Sequence, residues 1–218
     1  MRKTLVALLF GFLIVNVMSC SKTKPKEEWI NVMPGPNLEG WTIVDIPADG
    51  PLSATPQWSL DKSTGNVVCN GTGGRDWLRY DKKQFSDFVF HAEWRFKKIE
   101  EPAKYNSGVF VRNSAEFKIW HQAQMGSASG GYLFGNSLVN GEEKRVSTKD
   151  QMKDMENPVK PAGEWNSYDI TCKGPTISLV VNGVKTTVWK NCEVLKGYIG
   201  LEAEGYYVEF RNLKVKEL

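Results

Sequence analysis

Apolar and polar residues alternate along most of this sequence from Trp41 onward, and this pattern restricts the fold more than any other feature. In the segment 86–96 every second residue is apolar: Phe88, Phe90, Ala92, Trp94 and Phe96. His91, Glu93 and Arg95 lie between them. Because successive side chains of a β-strand point to opposite faces, the segment predicts a strand with one apolar and one polar face.

The same alternation returns at residues 109–112, 115–120, 168–172, 177–181, 185–189, 198–203 and 207–215. Asn182-Gly183 separates two of these segments and is typical of a two-residue hairpin turn. A helical period is confined to a short turn near residues 149–155. A sheet with one apolar face must cover that face with another sheet. The pattern therefore predicts an all-β fold, a two-sheet antiparallel β-sandwich of the jelly-roll type.

One long segment, residues 122–163, is rich in Gly, Ser, Asn, Lys and Glu and shows little alternation. A connection of roughly 40 residues is far longer than the usual 4 to 6, so we expect either a functional loop over a site or an inserted hairpin. The glycine-rich stretch 126–131 lacks the strand-to-helix context of a phosphate-binding loop. We interpret that stretch as a loop.

The N-terminus has the features of an export signal. Arg2 and Lys3 precede an apolar run over residues 5–17, which is shorter than the roughly 20 residues of a membrane-spanning helix. The residues before Cys20 resemble a lipobox, which predicts a signal peptide at 1–19, a lipidated Cys20, a polar tether at 20–36 and a β-sandwich domain at 37–218. We expect a lipid-anchored protein of the cell envelope, in the periplasm or on the outer-membrane surface. Plain secretion or an ordinary membrane anchor are the alternatives.

The charge balance bears on nucleic acid as a partner, and the cysteine spacing bears on zinc as a ligand. The chain has 28 basic and 25 acidic residues, and loss of Arg2 and Lys3 leaves 26 against 25. This balance gives no electrostatic reason to expect nucleic acid as a partner. Cys69, Cys172 and Cys192 match no zinc spacing, and we expect buried structural thiols.

Polar residues on the predicted strands are the candidates for chemistry. They are His91, Glu93 and Arg95, then Arg112, then Glu116, Lys118 and Trp120 with His121, and finally Glu202 and Glu204. Residues two apart on a strand point the same way, so each pair of this kind shares a face. A carboxylate beside a cation suits acid–base chemistry, although exposed strands carry such pairs as ordinary surface contacts. The Trp120 ring is a candidate platform for the face of a sugar.

Several motifs together resemble one known family. Their residues are 106–112, 116–119, 160–168, 181–184, 200–202 and 208–213, and they include Asn106-Ser107-Gly108 and Phe210-Arg211-Asn212-Leu213. In order and spacing these segments resemble the 3-keto-disaccharide hydrolase family, over nearly all of the chain from Trp41 to Leu218. The resemblance implies the concanavalin-like lectin and glucanase fold, with an oligosaccharide or glycoside bound on one sheet. It also implies an exported lipoprotein that breaks down glycans and meets the membrane only through its lipid.

The resemblance also implies a chemistry. A ketone at C3 of a sugar makes the C2 proton acidic, so a base can remove it and the glycosidic oxygen at C1 can leave. The expected site is drawn from the following residues. The base is His121 or Glu116; Lys118 and Arg112 stabilise the enolate oxygen; Glu204 or Glu202 protonates the leaving group; and His91, Glu93, Arg95, Trp120 and Asn106 line the cleft.

No cofactor is predicted, and a divalent metal held by His91, Glu93 and His121 stays open as an alternative. Three other functions stay open as well: a sugar-binding module without catalysis, a conventional retaining glycosidase with two carboxylates about 5 to 5.5 Å apart, and a scaffold lipoprotein without a ligand. The enzyme hypothesis depends on one geometric expectation. Arg112, Glu116, Lys118 and His121 should line a common hollow.

Overall fold

The computed structural model describes residues 28–46, 55–100 and 104–218, and fifteen β-strands lie within them. In chain order they are β1 (Ile30–Asn31), β2 (Trp41–Asp45), β3 (Trp58–Leu60), β4 (Val67–Cys69), β5 (Asp76–Tyr80), β6 (Phe88–Phe96), β7 (Ser107–Asn113), β8 (Trp120–Met125), β9 (Leu133–Val139), β10 (Glu142–Ser147), β11 (Asn166–Lys173), β12 (Thr176–Val181), β13 (Val184–Trp189), β14 (Tyr198–Ala203) and β15 (Val208–Glu217). Two short 3₁₀ helices lie at Pro36–Leu38 and Lys149–Met152.

The strands form two antiparallel sheets. The eight-stranded sheet has the order β13-β12-β11-β6-β15-β4-β3, and β1 pairs with β15. The seven-stranded sheet has the order β10-β9-β8-β7-β14-β5-β2. The predicted all-β, two-sheet antiparallel sandwich is confirmed. Among the described residues, no helix is both long and apolar enough to cross a membrane.

The apolar faces of the two sheets pack against each other and form the main core. In β6 the side chains of Phe88, Phe90, Ala92, Trp94 and Phe96 are all buried, and they share one cluster with residues of the facing sheet such as Val109 and Leu201. Burying a large apolar side chain fully contributes about 1.5–3 kcal/mol, so this shared layer is what holds the sheets together. The outer face of the seven-stranded sheet carries a second, smaller cluster of buried aromatic residues, Trp77, Phe110 and Phe117.

Local turn signals account for the hairpins. Asn182 and Gly183 have φ angles of 49° and 83° and join β12 to β13, as the sequence predicts. Asn140 and Gly141, with φ of 55° and 75°, join β9 to β10 in the same way. The long segment without alternation therefore contains an inserted hairpin, one of the two expected alternatives.

The last residues of the predicted tether pack onto the domain. The end of the predicted tether is part of the fold, because Ile30 pairs with Val215 in β15 and Val32 is buried beside Trp41, whose Nε1 donates to the Val32 carbonyl. The signal segment and Cys20 lie outside the described residues. Cys69, Cys172 and Cys192 are buried free thiols, as expected.

Candidate active site

A cavity of about 620 Å³ opens on the outer face of the seven-stranded sheet. Its lining comes from neighbouring strands and the turns beside them: Ile46, Arg75, Asn106, Phe117, Trp120, Gln122, Gln124, Tyr132, Phe134, Arg145, Glu202 and Glu204. In β8 the lining residues Trp120, Gln122 and Gln124 occupy alternate positions, as the geometry of a strand requires. The cavity thus combines a polar floor with an aromatic wall.

Glu202, at the floor of the cavity, has a strongly raised pKa. Its side chain is only 2% exposed, Gln122 Nε2 lies 2.5 Å from Glu202 Oε2, and Arg75 Nη2 lies 3.6 Å from Oε1. Burial, and after it the negative charge of Glu204, raises the pKa of Glu202 to about 8. The carboxyl group therefore carries its proton at neutral pH.

Glu204 follows on the same face, and its side chain is 26% exposed. Arg75 Nε lies 3.3 Å from Glu204 Oε1, so one guanidinium group contacts both carboxyl groups. Burial raises the pKa of Glu204, while the positive charge of Arg75 acts in the opposite direction. The site consequently holds two carboxyl groups in different environments, one closed off and one open to solvent.

Gly108 in β7 gives Gln122 the room to reach Glu202. A Cβ atom at Gly108 would lie 2.0 Å from Gln122 Nε2 and 2.4 Å from its Cδ. Such a separation is far below van der Waals contact, so any larger residue would push Gln122 aside. The strand β7 lies between the strands of Gln122 and Glu202, and only a residue without a side chain lets the amide pass over it.

The opposite wall of the cavity is aromatic and cationic. The Arg145 guanidinium lies 4.3 Å from the centroid of the Trp120 ring and 4.8 Å from that of Phe134. Trp120 also stacks on Phe117 with centroids 5.6 Å apart. Among the described residues Arg145 has no carboxylate within ion-pair distance, and burial lowers its pKa slightly below the usual range. Its donors are thus available to a ligand.

The family of the chain follows from a comparison with known families. Residues 28–216 match the model of the 3-keto-alpha-glucoside-1,2-lyase-like domain. The chain belongs to this family. The resemblance read from the sequence motifs is thereby confirmed, and the protein is a carbohydrate-active, glycosidase-like domain. No curated protein matches the chain.

Solved structures show which fold the lyase-like domain has. A candidate glycosyl hydrolase from Parabacteroides distasonis ATCC 8503 has a TM-score of 0.58 and 20% identity, over 87% of this chain and 94% of that chain. A carbohydrate-binding module from Bacillus subtilis has a TM-score of 0.57 and 12% identity, over 84% of this chain and 99% of that chain. The kappa-carrageenase from Pseudoalteromonas carrageenovora has a TM-score of 0.55 and 10% identity, over 92% of this chain and 99% of that chain. Hydrolases and a binding module share this jelly-roll fold, so the fold alone fixes neither function.

Four of the residues singled out in the sequence lie together in the cavity of the lyase-like domain: Asn106, Trp120, Glu202 and Glu204. Asn106 Oδ1 accepts a hydrogen bond of 2.6 Å from Gln124 Nε2. The expected common hollow of Arg112, Glu116, Lys118 and His121 is wrong, because none of the four lines the cavity.

Arg112 lies inside the sandwich and is 0% exposed. It donates to the carbonyls of Ser86 at 2.6 Å and Gly174 at 2.8 Å, and it pairs with Asp87 Oδ1 at 3.1 Å. The register of β14 against β7 shifts here, and Arg112 has a φ of 51°. This β-bulge turns the side chain from the outer face to the inner one, so Arg112 holds loops together instead of meeting a ligand.

His121 is also 0% exposed and lies on the core side of β8, opposite in direction to Trp120. Its Nε2 is 2.8 Å from Ser137 Oγ, and its Nδ1 is 3.2 Å from the Val111 carbonyl oxygen. Burial lowers the pKa of His121 to about 4. A neutral, enclosed imidazole of this kind has no access to a sugar, and the expectation that it acts as the base is wrong.

Glu116 and Lys118 lie in a turn, because the chain leaves the sheet after Asn113 and rejoins it at Trp120. Ser114 Oγ accepts hydrogen bonds from the backbone N–H groups of Lys118 and Ile119, which fixes that turn. Both side chains are exposed, and Lys118 Nζ pairs with Glu143 Oε1 at 2.7 Å. The predicted strand at 115–120 is therefore wrong, and with it the expected direction of these two side chains.

His91, Glu93 and Arg95 lie on the outer face of the other sheet. They form cross-strand pairs there: His91 Nδ1 with Asp169 Oδ1 at 2.7 Å, Glu93 with Arg211 at 2.6 Å, and Arg95 with Glu209 at 2.5 Å. Their expected place in the cleft is wrong. His91 and Glu93 are also on a different face from His121, so the three cannot share one metal ion, and no group of three potential ligands occurs in the described part of the chain.

Sequence reasoning missed Arg75, Gln122, Gln124, Tyr132 and Arg145 as site residues. Gln122 and Gln124 continue the alternation that begins at Trp120, and this signal could have identified them. Arg145 lies in the hairpin strand β10, whose residues are almost all exposed and show no alternation. The position of Arg145 at the cavity is therefore evident only from the pairing of β10 with β9.

Proposed function

We propose that the protein is an exported enzyme that cleaves glycosidic bonds of 3-keto-glycosides by removal of the C2 proton and elimination at C1. The observation that carries the proposal is the pair of carboxyl groups at the cavity floor. Glu202 has a pKa raised to about 8, and Glu204 is open to solvent beside Arg75. Two acids in contrasting environments are the usual arrangement for one proton donor and one proton acceptor.

The proposed reaction needs both groups. A base takes the C2 proton, and the electrons of that C–H bond form an enolate with the ketone at C3. The C3 carbonyl then re-forms, a C1–C2 double bond appears, and the C1–O bond breaks as an acid protonates the leaving oxygen. Water added across the C1–C2 double bond gives net hydrolysis.

We assign the base to Glu204 and the acid to Glu202. Glu202 carries its proton at neutral pH because it is enclosed, and Gln122 fixes its orientation. Glu204 shares Arg75 with it, is the more exposed member of the pair, and is assigned the role of proton acceptor. This assignment keeps the carboxyl groups expected from the sequence and gives Glu204 the task that was expected of His121 or Glu116.

Cationic and aromatic groups complete the proposed site. Arg145 has hydrogen-bond donors available at the cavity wall and replaces Lys118 and Arg112 as the group that stabilises the enolate oxygen. The Trp120 ring, part of the same wall, supplies a surface for the sugar ring. Gln124 and Asn106, hydrogen-bonded to each other, are placed to contact hydroxyl groups.

The test compares a p-nitrophenyl 3-keto-glucoside with its unoxidised parent. We expect release of nitrophenol from the keto form alone. Cleavage of the parent alone would indicate an ordinary glycosidase, and binding without cleavage of either compound would indicate a sugar-binding module.

Three variants separate the two proton transfers when the reaction is run in D₂O. Glu204→Gln should lose both C2 deuterium exchange and nitrophenol release. Glu202→Gln should keep the exchange but lose most of the release. Glu116→Gln is the matched control, since Glu116 is exposed outside the cavity, and it should keep both.

We further propose that the protein is anchored to the cell envelope through Cys20 after removal of residues 1–19. The support is the order of charged, apolar and small residues that precedes Cys20. Cys20→Ser should abolish labelling with a radioactive fatty acid and move the protein from the membrane fraction to the soluble one. Labelling that persists in this variant would contradict the proposal.

A further inference from the structure

A second cavity of about 570 Å³ adjoins the candidate active site. The two cavities share Gln124 and Tyr132 in their linings. The second is lined beyond these by Tyr105, Met125, Ser129, Gly130, Lys149, Asp150, Met152, Lys153 and Asn157. A glycan bound at Glu202 and Glu204 therefore has room for a neighbouring sugar past Tyr132.

The wall of the second cavity is built by hydrogen bonds and close packing. Gly131 N donates to the Gln124 carbonyl at 2.8 Å, and Asn157 Nδ2 donates to the Gly130 carbonyl at 3.1 Å. Gly130 has a φ of 86°, and a Cβ there would lie 2.6 Å from the Gln124 carbonyl oxygen. Gly130 thus lets the loop close against β8 and shape the cavity.

Two cations, Lys149 and Arg145, lie near Tyr132. Lys149 Nζ is 5.7 Å from the centroid of the Tyr132 ring, and the charge of Arg145 acts on the pKa of the Tyr132 hydroxyl group. Neither cation has a carboxylate within ion-pair distance among the residues that the structure describes. Side chains of this kind attract an anionic group of a ligand.

The linings of the two cavities contain four cationic side chains, Arg75, Arg145, Lys149 and Lys153. Arg75 contacts Glu204, and Lys153 Nζ lies 3.9 Å from Asp154 Oδ2. In the lining of the second cavity Lys149 is therefore the cation without a carboxylate at ion-pair distance among the described residues. A neutral glycan would leave this charge without a partner.

We propose that the second cavity is a subsite for a sugar residue that carries a carboxylate or a sulfate group. The substrate is then an acidic oligosaccharide, with the bond to be cleaved at Glu202 and Glu204 and the anionic group of the neighbouring sugar at Lys149. This inference rests on the proposed function for the position of the cleaved bond. The acidic subsite itself is a matter of binding.

Calorimetric titration of the purified protein tests the subsite with three probes: cellobiose, cellobiouronic acid and cellobiose 6′-sulfate. We expect at least one acidic probe to bind about tenfold more tightly than cellobiose, a factor that corresponds to 1.4 kcal/mol. Whether the carboxylate or the sulfate gains more identifies the anionic group. The preference should shrink in high salt, because salt screens exposed charges. Equal affinity for all three probes would overturn the proposal.

Two lysine variants locate the effect. Lys149→Gln should remove most of the preference for the acidic probe over cellobiose. Lys173→Gln is the matched control, since Lys173 is exposed at the end of β11 in the other sheet. An acidic preference that survives in Lys149→Gln would also contradict the proposed subsite.

The binding measurement does not depend on turnover. If the 3-keto-glycoside is not cleaved but the acidic preference and its loss in Lys149→Gln are observed, the proposed reaction fails and the subsite stands. If the keto form is cleaved but the three probes bind equally, the reaction stands and the subsite fails.

Discussion

Gln122 Nε2 lies 2.5 Å from Glu202 Oε2, and the contact crosses the strand β7 above Gly108. The hydrogen bond fixes the only carboxyl group of the cavity lining that is fully buried. It links β8 to β14 through a residue that has no side chain to interfere. The orientation of the Glu202 carboxyl group therefore depends on an amide and on a glycine as much as on Glu202 itself.

Replacement of Glu202 should abolish the leaving-group step. Without the acid, Glu202→Gln is expected to lower kcat/KM for a 3-keto-glycoside about 10²- to 10⁴-fold. In the unmodified enzyme kcat/KM should fall above pH 8, because Glu202 ionises there. Initial rates from pH 5 to 10 measure both effects. A pH profile that stays flat up to pH 10 would rule out Glu202 as the acid.

Glu202 should also make the fold less stable at alkaline pH. The pKa of Glu202 is raised from its ordinary value of 4.5 to about 8, so between these pH values the folded state holds a proton that the unfolded state has lost. The free energy of unfolding should therefore decline as pH rises from about 4.5 to about 8. Each unit of pKa difference is worth about 1.4 kcal/mol, so the decline is a few kcal/mol.

Glu202→Gln isolates this contribution, because an amide is neutral at every pH. Near pH 4 the variant should have the same free energy of unfolding as the unmodified protein, and at pH 9 its free energy of unfolding should be larger. The comparison is needed since His121, with its pKa lowered to about 4, acts in the opposite sense and reduces stability as pH falls below about 6.5. Urea unfolding at both pH values measures the difference, and a gain at pH 4 equal to that at pH 9 would contradict it.

Gly108→Ala should misplace Gln122. The added methyl group would lie 2.0 Å from Gln122 Nε2, so the amide must swing away from Glu202. Overpacking of this kind costs about 1–3 kcal/mol of stability, and the loss of orientation should reduce kcat more than KM. Gly65→Ala is a control, since Gly65 lies outside the cavity and a Cβ there meets no atom within 4 Å, although its φ of 72° brings some strain. Unchanged kcat in Gly108→Ala would show that the Gln122 contact is dispensable.

Local sequence patterns were sufficient for much of the fold. The alternation in β6 and the Asn182-Gly183 turn depend on neighbours along the chain, and both predictions are confirmed. Glu202 can be singled out for the same reason, because it lies on an outward face within the regular strand β14. In such segments the alternation of side chains between the two faces of a strand is enough to predict the direction of each side chain.

Two other features escaped the pattern for physical reasons. At Arg112 an extra residue enters β7, so counting positions along the chain assigns its side chain to the wrong face. His91 and Glu93 do point outward, but alternation does not state which of the two sheets a strand joins. Only the pairing of β6 with β11 and β15, far away in sequence, places them opposite the cavity.

Arg112 offers a last prediction, in which stability and activity should separate. Arg112→Lys keeps the charge, but an ammonium group cannot reach Ser86, Gly174 and Asp87 at once. Leaving a buried charge and its acceptors poorly paired should cost about 3–5 kcal/mol in the free energy of unfolding. Arg95→Lys, in a partly exposed pair on the outer face, should cost less than about 1 kcal/mol. Because Arg112 lies outside the cavity, folded Arg112→Lys protein should keep its kcat/KM when the rate is measured well below its unfolding temperature. A large loss of activity with an unchanged free energy of unfolding would instead indicate that Arg112 acts in the active site.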